Sequence, residues 1–389
     1  MFFFFFLWRN AYDGTNPGAV MSGHYFQSKH FFVFFSWLSF GLGQAYVNDL
    51  LYRNRYNKGS FYIDYKTSTH KYIKKSNIYL QLKSLDGLDA GMIGFEKKSN
   101  NDKTRFYSHL KGMLRDLPWD MIYLINDHEW GYQKLNSALH LGMEHNYRYL
   151  RGSGNIVFNL RASAFTSDYD FSAATLTSVN KNEFKWFSIN TRFFAQAGFG
   201  TKLPSESMLY VAGANNEELM NNKYTRSIGF VPPQWGNYGP VTNHFSAGGG
   251  LGLRGYSGYF LAAYAKDGLS YVYNYKGTTG ISASAELEFG KLFKWMNPKF
   301  LHNAVKVQPY LFADAGMINV NDPGKAYAMS DLLADAGAGA TFSIVRWGNL
   351  SGLKPLTIRF DMPFFINRLP FAEKDYFQFR WMFGINRAF

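Results

Sequence analysis

The sequence contains no cysteine. That excludes a disulfide framework and any thiolate metal site, and it is compatible with an oxidising periplasmic route. Also missing is an apolar run of the roughly 20 residues that a membrane-crossing helix needs. Phe2–Trp8 is apolar but short, and Phe31–Leu42 is broken by Gly43, Gln44 and Asn48. The apolar opening has no basic residues before it and no small-residue cleavage site directly after it, as a signal peptide requires. It reads instead as the first strand of a barrel whose upstream part is missing.

Enzyme signatures are absent too. His128-Glu129 lacks the second histidine of a zincin helix. There is no G-x-S-x-G elbow and no phosphate-binding G-x-x-x-x-G-K-[ST] loop, and no βαβ pattern surrounds the glycines of 248–255. His140 and Glu144 share one strand parity with His109 nearby, a set that reads as a solvated cluster rather than a metal site. Asp116 and Asp120 flank Pro118 in a turn and read as a solvated pair. The expectation is therefore no enzyme, no metal and no cofactor.

What is abundant is aromatic surface: 38 Phe, 27 Tyr and 9 Trp, 19% of the 389 residues, in a chain whose mean hydropathy is only −0.25. Aromatic residues spread through a mildly polar chain fit strands that face lipid on one side only. The net charge of +13 is scattered, not blocked, so it fits a wet barrel interior and its loops rather than a nucleic-acid partner.

Period-2 alternation is clearest near the C-terminus. Phe377, Phe379, Trp381, Phe383, Ile385 and Phe389 share one parity, opposed by Gln378, Arg380 and Asn386. Leu356, Ile358, Phe360 and Met362 alternate with Thr357, Arg359 and Asp361, and Ile281, Ala283, Ala285, Leu287 and Phe289 with Ser282, Ser284, Glu286 and Glu288. The apolar set is assigned to lipid and the polar set to a water-filled lumen.

Candidate strands fall near 2–9, 17–28, 30–41, 60–68, 76–85, 89–98, 103–114, 116–126, 136–149, 154–166 and 183–199, then 279–290, 305–316, 335–346, 354–363 and 376–389. The expected fold is all-β, a transmembrane antiparallel barrel of about 16 strands forming a single domain over 1–389. Between its two groups of strands lies one long connection, about 200–278, far longer than usual links.

Inside that connection, Leu253-Arg254-Gly255-Tyr256 follows a run of glycines that lets backbone fold tightly and brings one guanidinium to a defined place. An arginine deep in a barrel should meet an acid. Val305, Val307, Leu311 and Ala313 mark a lipid face, which turns Lys306, Gln308, Tyr310, Phe312 and Asp314 inward and makes Asp314, within Phe312-x-Asp314-x-Gly316, the expected partner.

These two motifs resemble those of the bacterial surface antigen (BamA-like) superfamily, the first its [V/I/L]-R-G-[F/Y] loop tip and the second its [F/G]-x-D-x-G strand motif two strands downstream. The resemblance implies sixteen strands, 200–278 as loop six folded into the lumen, and a lateral seam between first and last strands, with Phe389 at the barrel closure. It implies an outer-membrane location and a role in protein translocation or outer-membrane assembly. Implied partners are outer-membrane lipids and lipopolysaccharide, with periplasmic or surface lipoprotein subunits. One departure is that the chain has no room for the periplasmic POTRA domains of family insertases.

A second, looser resemblance joins Trp8-Arg9-Asn10-Ala11-Tyr12-Asp13-Gly14 and Phe31–Gly41 to the barrel halves of membrane-anchored Bacteroidota proteins. It implies the alternative role, a non-translocating anchor for a periplasmic or surface module. A diffusion pore is the third reading, opposed by a lumen holding a long loop and bulky residues such as Tyr310, Arg359 and Arg380.

Overall fold

The computed structural model describes residues 2–10, 12–25, 29–44, 58–116, 123–126, 129–221, 225–226, 232, 235–236, 243–259, 261–264, 271–290, 292, 305–319, 329–344, 356–370 and 374–385. Seventeen strands join one sheet. All but one follow in chain order, each antiparallel to the next: β1 (Phe2–Asn10), β2 (Gly14–Tyr25), β3 (His30–Leu38), β4 (Gly59–Ser68), β5 (Ser76–Leu85), β6 (Leu88–Lys98), β7 (Thr104–Leu114), β8 (Asn136–Tyr149), β9 (Gly152–Ser163), β10 (Asp170–Glu183), β11 (Ser188–Lys202), β12 (Gly280–Glu288), β13 (Val305–Ile318), β14 (Leu333–Ile344), β15 (Leu356–Ile366) and β16 (Met382–Ile385). The exception is Phe245–Ala247, from the connection after β11, which adds parallel to β16. Among the described residues no pairing joins β1 to β16.

The alternation does what a membrane sheet needs. Along β12 every second residue from Ser282 to Glu288 is buried, while Ile281 is exposed on the other face. Ile78, Ile93, Phe106, Leu110, Leu139, Leu141, Phe158, Leu160, Phe193, Leu311 and Phe342 are likewise exposed, so one apolar belt runs from β5 to β14. A belt of that extent is intolerable in water and favourable against lipid. No helix among the described residues is long and apolar enough to cross a membrane; the crossing elements are strands.

The opposite face curls around the connection between β11 and β12. Lys83 of β5 reaches the Met220 carbonyl at 3.5 Å, Lys111 of β7 and Arg161 of β9 reach Glu217, Arg192 of β11 reaches Gly250, and Asp314 of β13 holds Arg254. Strands far apart in the sheet can meet one connection only if the sheet wraps it. The apolar core lies between wall and connection, where Phe194, Ile318, Leu333 and Ile366 pack against Leu209, Val211, Leu251, Leu253 and Tyr256.

Several expectations are corrected. Segment 116–126 is not a strand over its described part: Tyr123, Leu124 and Ile125 are buried, with the Tyr123 hydroxyl donating to Asp13 at 2.6 Å. These three serve burial inside the sheet, not a lipid face. The strand counted there is instead β10, whose outward Ala174, Leu176 and Ser178 stand opposite Leu160, Phe158 and Ile156. Small and polar outward residues left its alternation faint.

In β13 the alternation holds from Tyr310 to Ile318, but before Pro309 it breaks, with Val307 buried and Lys306 exposed. The C-terminal strand, expected over 376–389, is regular only across Met382–Ile385. Just before it, Arg380 folds back to donate to the carbonyls of Asp375 at 2.9 Å and Gln378 at 3.4 Å, which interrupts the ladder. Ile385 does not face lipid; it is fully buried against Ile125, Leu219, Phe245 and Ala247. Phe389 lies outside the described residues.

Candidate functional site, a buried arginine lock and a second anchor

The glycines at 248–252 are used where the chain turns most sharply: Gly250 and Gly252 have φ of 55° and 78°, a region that side chains disfavour. The turned carbonyls of Gly250 and Leu251 accept from Arg192 at 2.7 and 3.1 Å. This aims the next residues at the wall formed by β12 to β15, and a single turn of 3₁₀ helix, Arg254–Tyr256, forms the tip.

At the tip, Arg254 donates from Nε to Asp314 Oδ2 at 2.7 Å and from NH2 to Asp314 Oδ1 at 2.9 Å. Its NH1 donates to Glu286 Oε1 at 2.7 Å and lies 3.8 Å from Asp361. The guanidinium sits 3.8 Å from the centre of the Phe312 ring. Planar fork geometry matches a carboxylate on one side and an aromatic face below, which a lysine cannot do. Burial by itself pushes the guanidinium down, but Asp314, Glu286 and Asp361 outweigh it and hold Arg254 well above its ordinary value. Asp361 is also bonded by Arg359 and by the Tyr310 hydroxyl.

The other expected residues fall around this pair. Leu253 is fully buried in the apolar cluster. Tyr256 donates to Asn367 Oδ1 at 2.9 Å and accepts from the Arg368 amide at 3.1 Å. Gly255 leaves room for the wall, since a Cβ there would lie 2.6 Å from Asp335 Cβ and 2.7 Å from Ile366 Cγ2. Gly316 does not touch Arg254; a Cβ there would meet the Ile281 carbonyl of β12 at 2.7 Å, so it serves close strand packing. Gly255→Ala should therefore lift the tip and cost about 2 kcal/mol, read as a lower temperature for loss of the compact gel form and faster protease cleavage of the connection.

A second ionic anchor was not anticipated. Glu217, on the single helical turn Asn216–Leu219, accepts from Lys111 at 2.7 Å, Arg161 at 2.6 Å and Ser207 at 2.5 Å. Burial opposes its charge, yet Arg161 and Lys111 hold it well below the ordinary carboxylate range. The signal available in the sequence was a capping box, Asn215 with Glu218 three residues on, both bonds of which form. Beside this anchor lies a cavity of about 220 Å³ lined by His140, Asn159, Arg161, Gln196 and Glu217. His109 and His140 stack at 4.5 Å, while Glu144 bonds Arg105 at 2.8 Å and so stands apart from them.

No protein-family model and no curated protein matches the sequence. Among solved structures the chain is similar to outer-membrane β-barrels. CdiB from Escherichia coli matches at 12% identity and a TM-score of 0.48 over 96% of this chain, and BamA from Haemophilus ducreyi lacking POTRA domains 1-3 at 13% and 0.45 over 97%. A BenF-like porin from Pseudomonas fluorescens Pf-5 matches at 10% and 0.40 over 92%. The chain spans 60% of the length of the CdiB structure and 68% of the BamA structure. What places the chain in the outer membrane as a multi-pass β-barrel is its own meander and apolar belt.

Proposed function

We propose that this chain is a BamA-like outer-membrane barrel of about sixteen strands, closed between β1 and the C-terminal end, that takes part in protein translocation or outer-membrane assembly with periplasmic or surface lipoprotein subunits. The observation that carries this reading is the Arg254 tip, buried and gripped by Asp314 and Glu286. A connection pinned to the wall at defined points is a part with a set position, which a passive surface loop does not need. The apolar belt faces outer-membrane lipids and lipopolysaccharide, and the role requires no catalysis and no cofactor.

The runner-up, a non-translocating anchor for a periplasmic or surface module, is favoured by how fully the interior is filled: residues 123–126 and the connection after β11 pack together through Ile125, Leu219 and Phe245. The deciding experiment is purification from native outer membranes in mild detergent with mass spectrometry of what remains bound. Stable lipoprotein subunits are expected. A solitary barrel, or one covalently continuous with an enzyme domain, would replace this reading with the anchor.

A further inference from the structure

Along the chain the positive charge is scattered; around the barrel it is not. The links from β2 to β3, β4 to β5, β6 to β7, β8 to β9 and β10 to β11 all leave one end of the sheet. The link after β4 carries Lys71 and Lys74, that after β6 carries Lys103 with Lys97 beside it, and that after β8 carries Arg151 with Arg148 beside it, all exposed. Lys29 and Lys185 extend the series and are exposed as well. None of these forms an ion pair among the described residues, because the acids in or directly beside the five links, Asp102 and Glu183, already meet Lys75 at 2.9 Å and Lys181 at 3.2 Å. In sequence, the links from β12 to β13 and from β14 to β15 likewise hold lysine and arginine with no acid. The links at the other end are mixed; that from β7 to β8 holds Asp116, Asp120, Asp127 and Glu129 against Arg115 and Lys134. The net charge of +13 therefore belongs almost wholly to one end.

The same end carries aromatic residues on its lipid face. Tyr147 and Tyr149 share the parity of the exposed Leu139 and Leu141. Their rings lie 6.2 Å apart, and the Tyr149 hydroxyl donates to Asn182 at 2.6 Å. On β4, Tyr65 shares the parity of the exposed Phe61; its hydroxyl lies 2.6 Å from His30 Nδ1, and the Tyr25 ring lies 6.5 Å from that of His30. Such amphipathic rings settle at headgroup level, so they mark where the lipid face ends. Lys97 shares the parity of the exposed Ile93, which lets its stem follow the belt while its ammonium reaches past it. Beyond the rings, apolar and basic residues alternate at the tips: Tyr72 and Ile73 between Lys71 and Lys74, Leu150 between Arg148 and Arg151, and Trp186 beside Lys185, all exposed.

We infer that this basic rim lies in the headgroup layer at that end of the barrel and gathers anionic phospholipid around it, phosphatidylglycerol in preference to phosphatidylethanolamine. The long connection after β11 leaves from the opposite end, so in the usual layout of short periplasmic turns and long outer loops the rim meets the periplasmic leaflet. The phosphate it meets there is a phospholipid's and not that of lipopolysaccharide. The distribution favours lipid over protein: the charge recurs at link after link around the sheet, as a headgroup layer surrounds a barrel, whereas an acidic protein needs a patch on one side. Each lysine or arginine near an anionic surface favours the contact by about fivefold, and salt screens it. The inference rests on the barrel part of the reading above, not on translocation.

The test uses the full-length protein in vesicles of phosphatidylethanolamine with a minor share of phosphatidylglycerol and no lipopolysaccharide. Spin-labelled copies of each lipid report, by electron paramagnetic resonance, how much of each the protein immobilises. Phosphatidylglycerol should be favoured about fivefold, and the preference should fall toward parity in molar salt. A variant combining Lys71→Gln, Lys74→Gln, Lys97→Gln, Arg148→Gln and Arg151→Gln should lose most of the preference yet keep the compact gel form, since these side chains are exposed and hold no ion pair among the described residues. Lys134→Gln with Lys202→Gln, at the other end, should keep it. Equal immobilisation of the two lipids, or a preference undiminished in the rim variant, overturns the inference. So does a rim variant that keeps its lipid preference but loses a co-purifying subunit, which would assign the rim to an acidic protein. The Arg254 variants and the subunit purification of the unaltered protein are unaffected by any of these outcomes, so the two readings can fail separately.

Discussion

Replacing Arg254 with alanine should be the most damaging single change in the protein. It would take from the buried Asp314 its bidentate partner and from the buried Glu286 one ion pair, while Asp361 keeps Arg359 and Tyr310. Removing one partner of a buried ion pair leaves an uncompensated charge and costs about 3–5 kcal/mol. The upper end is expected here because the contact over Phe312 goes with it. The readouts are the temperature at which the compact gel form is lost and the rate at which protease cuts the connection near residues 248–256. Asp314→Asn should cost less, since Glu286 still accepts from NH1. Arg254→Lys should recover only part of the loss, because an ammonium cannot span both carboxylates. An Arg254→Ala protein with unchanged melting and unchanged cleavage would remove the lock from the account.

The second large effect is expected at Glu217. Glu217→Gln would leave Lys111 and Arg161 facing each other around a neutral amide, a loss of about 3 kcal/mol, and should free the segment around Ser207 while the Arg254 tip stays seated. Its pH dependence has a definite sign. The folded value of Glu217 lies well below its ordinary 4.5, so its contribution is fully present above about 4.5 and fades as pH falls further, through the folded value. The difference in melting between wild type and Glu217→Gln should therefore be flat at neutral and mildly acidic pH and shrink only in strong acid. A difference that vanished near neutrality would mean that Glu217 is not the charged partner of Lys111 and Arg161.

Much of this architecture is legible in the residues, but unevenly. Where outward residues are all apolar and the inward ones polar, as over 281–288 in β12 and 356–362 in β15, period 2 alone assigns each face. Where they are small or polar, as with Ala174 and Ser178 in β10, the pattern fades. Residues 123–126 carry the opposite hazard: an apolar stretch can line a lipid face or fill an interior, and composition does not distinguish them. Parity and the motif resemblance pointed to Asp314. Glu286 and Asp361 were visible as inward acids, yet their approach to Arg254 depends on register, which includes a shift in the β14–β15 pairing at Ala336/Gly337. Alternation carries no register across strands, so neither could be assigned to the site beforehand. Glu217 depends on a contact between residues 56 and 106 positions apart in the chain, and nothing local encodes that.

The two ionic anchors sit on different parts of the wall, Arg254 on β12 to β15 and Glu217 on β7 and β9, with one covalent segment running between them. The chain beside one anchor is bonded to the chain beside the other, the Ala214 amide donating to the Ala247 carbonyl at 3.1 Å, and mechanically that short path is a tie rod. A curved sheet deforms most easily by flattening, which moves such regions apart, and a hydrogen-bonded link between them resists that mode while leaving twist comparatively free. Cutting either end should soften the barrel against the same distortion, so the single variants and the double variant should share one phenotype in lateral compliance even though their local chemistry differs.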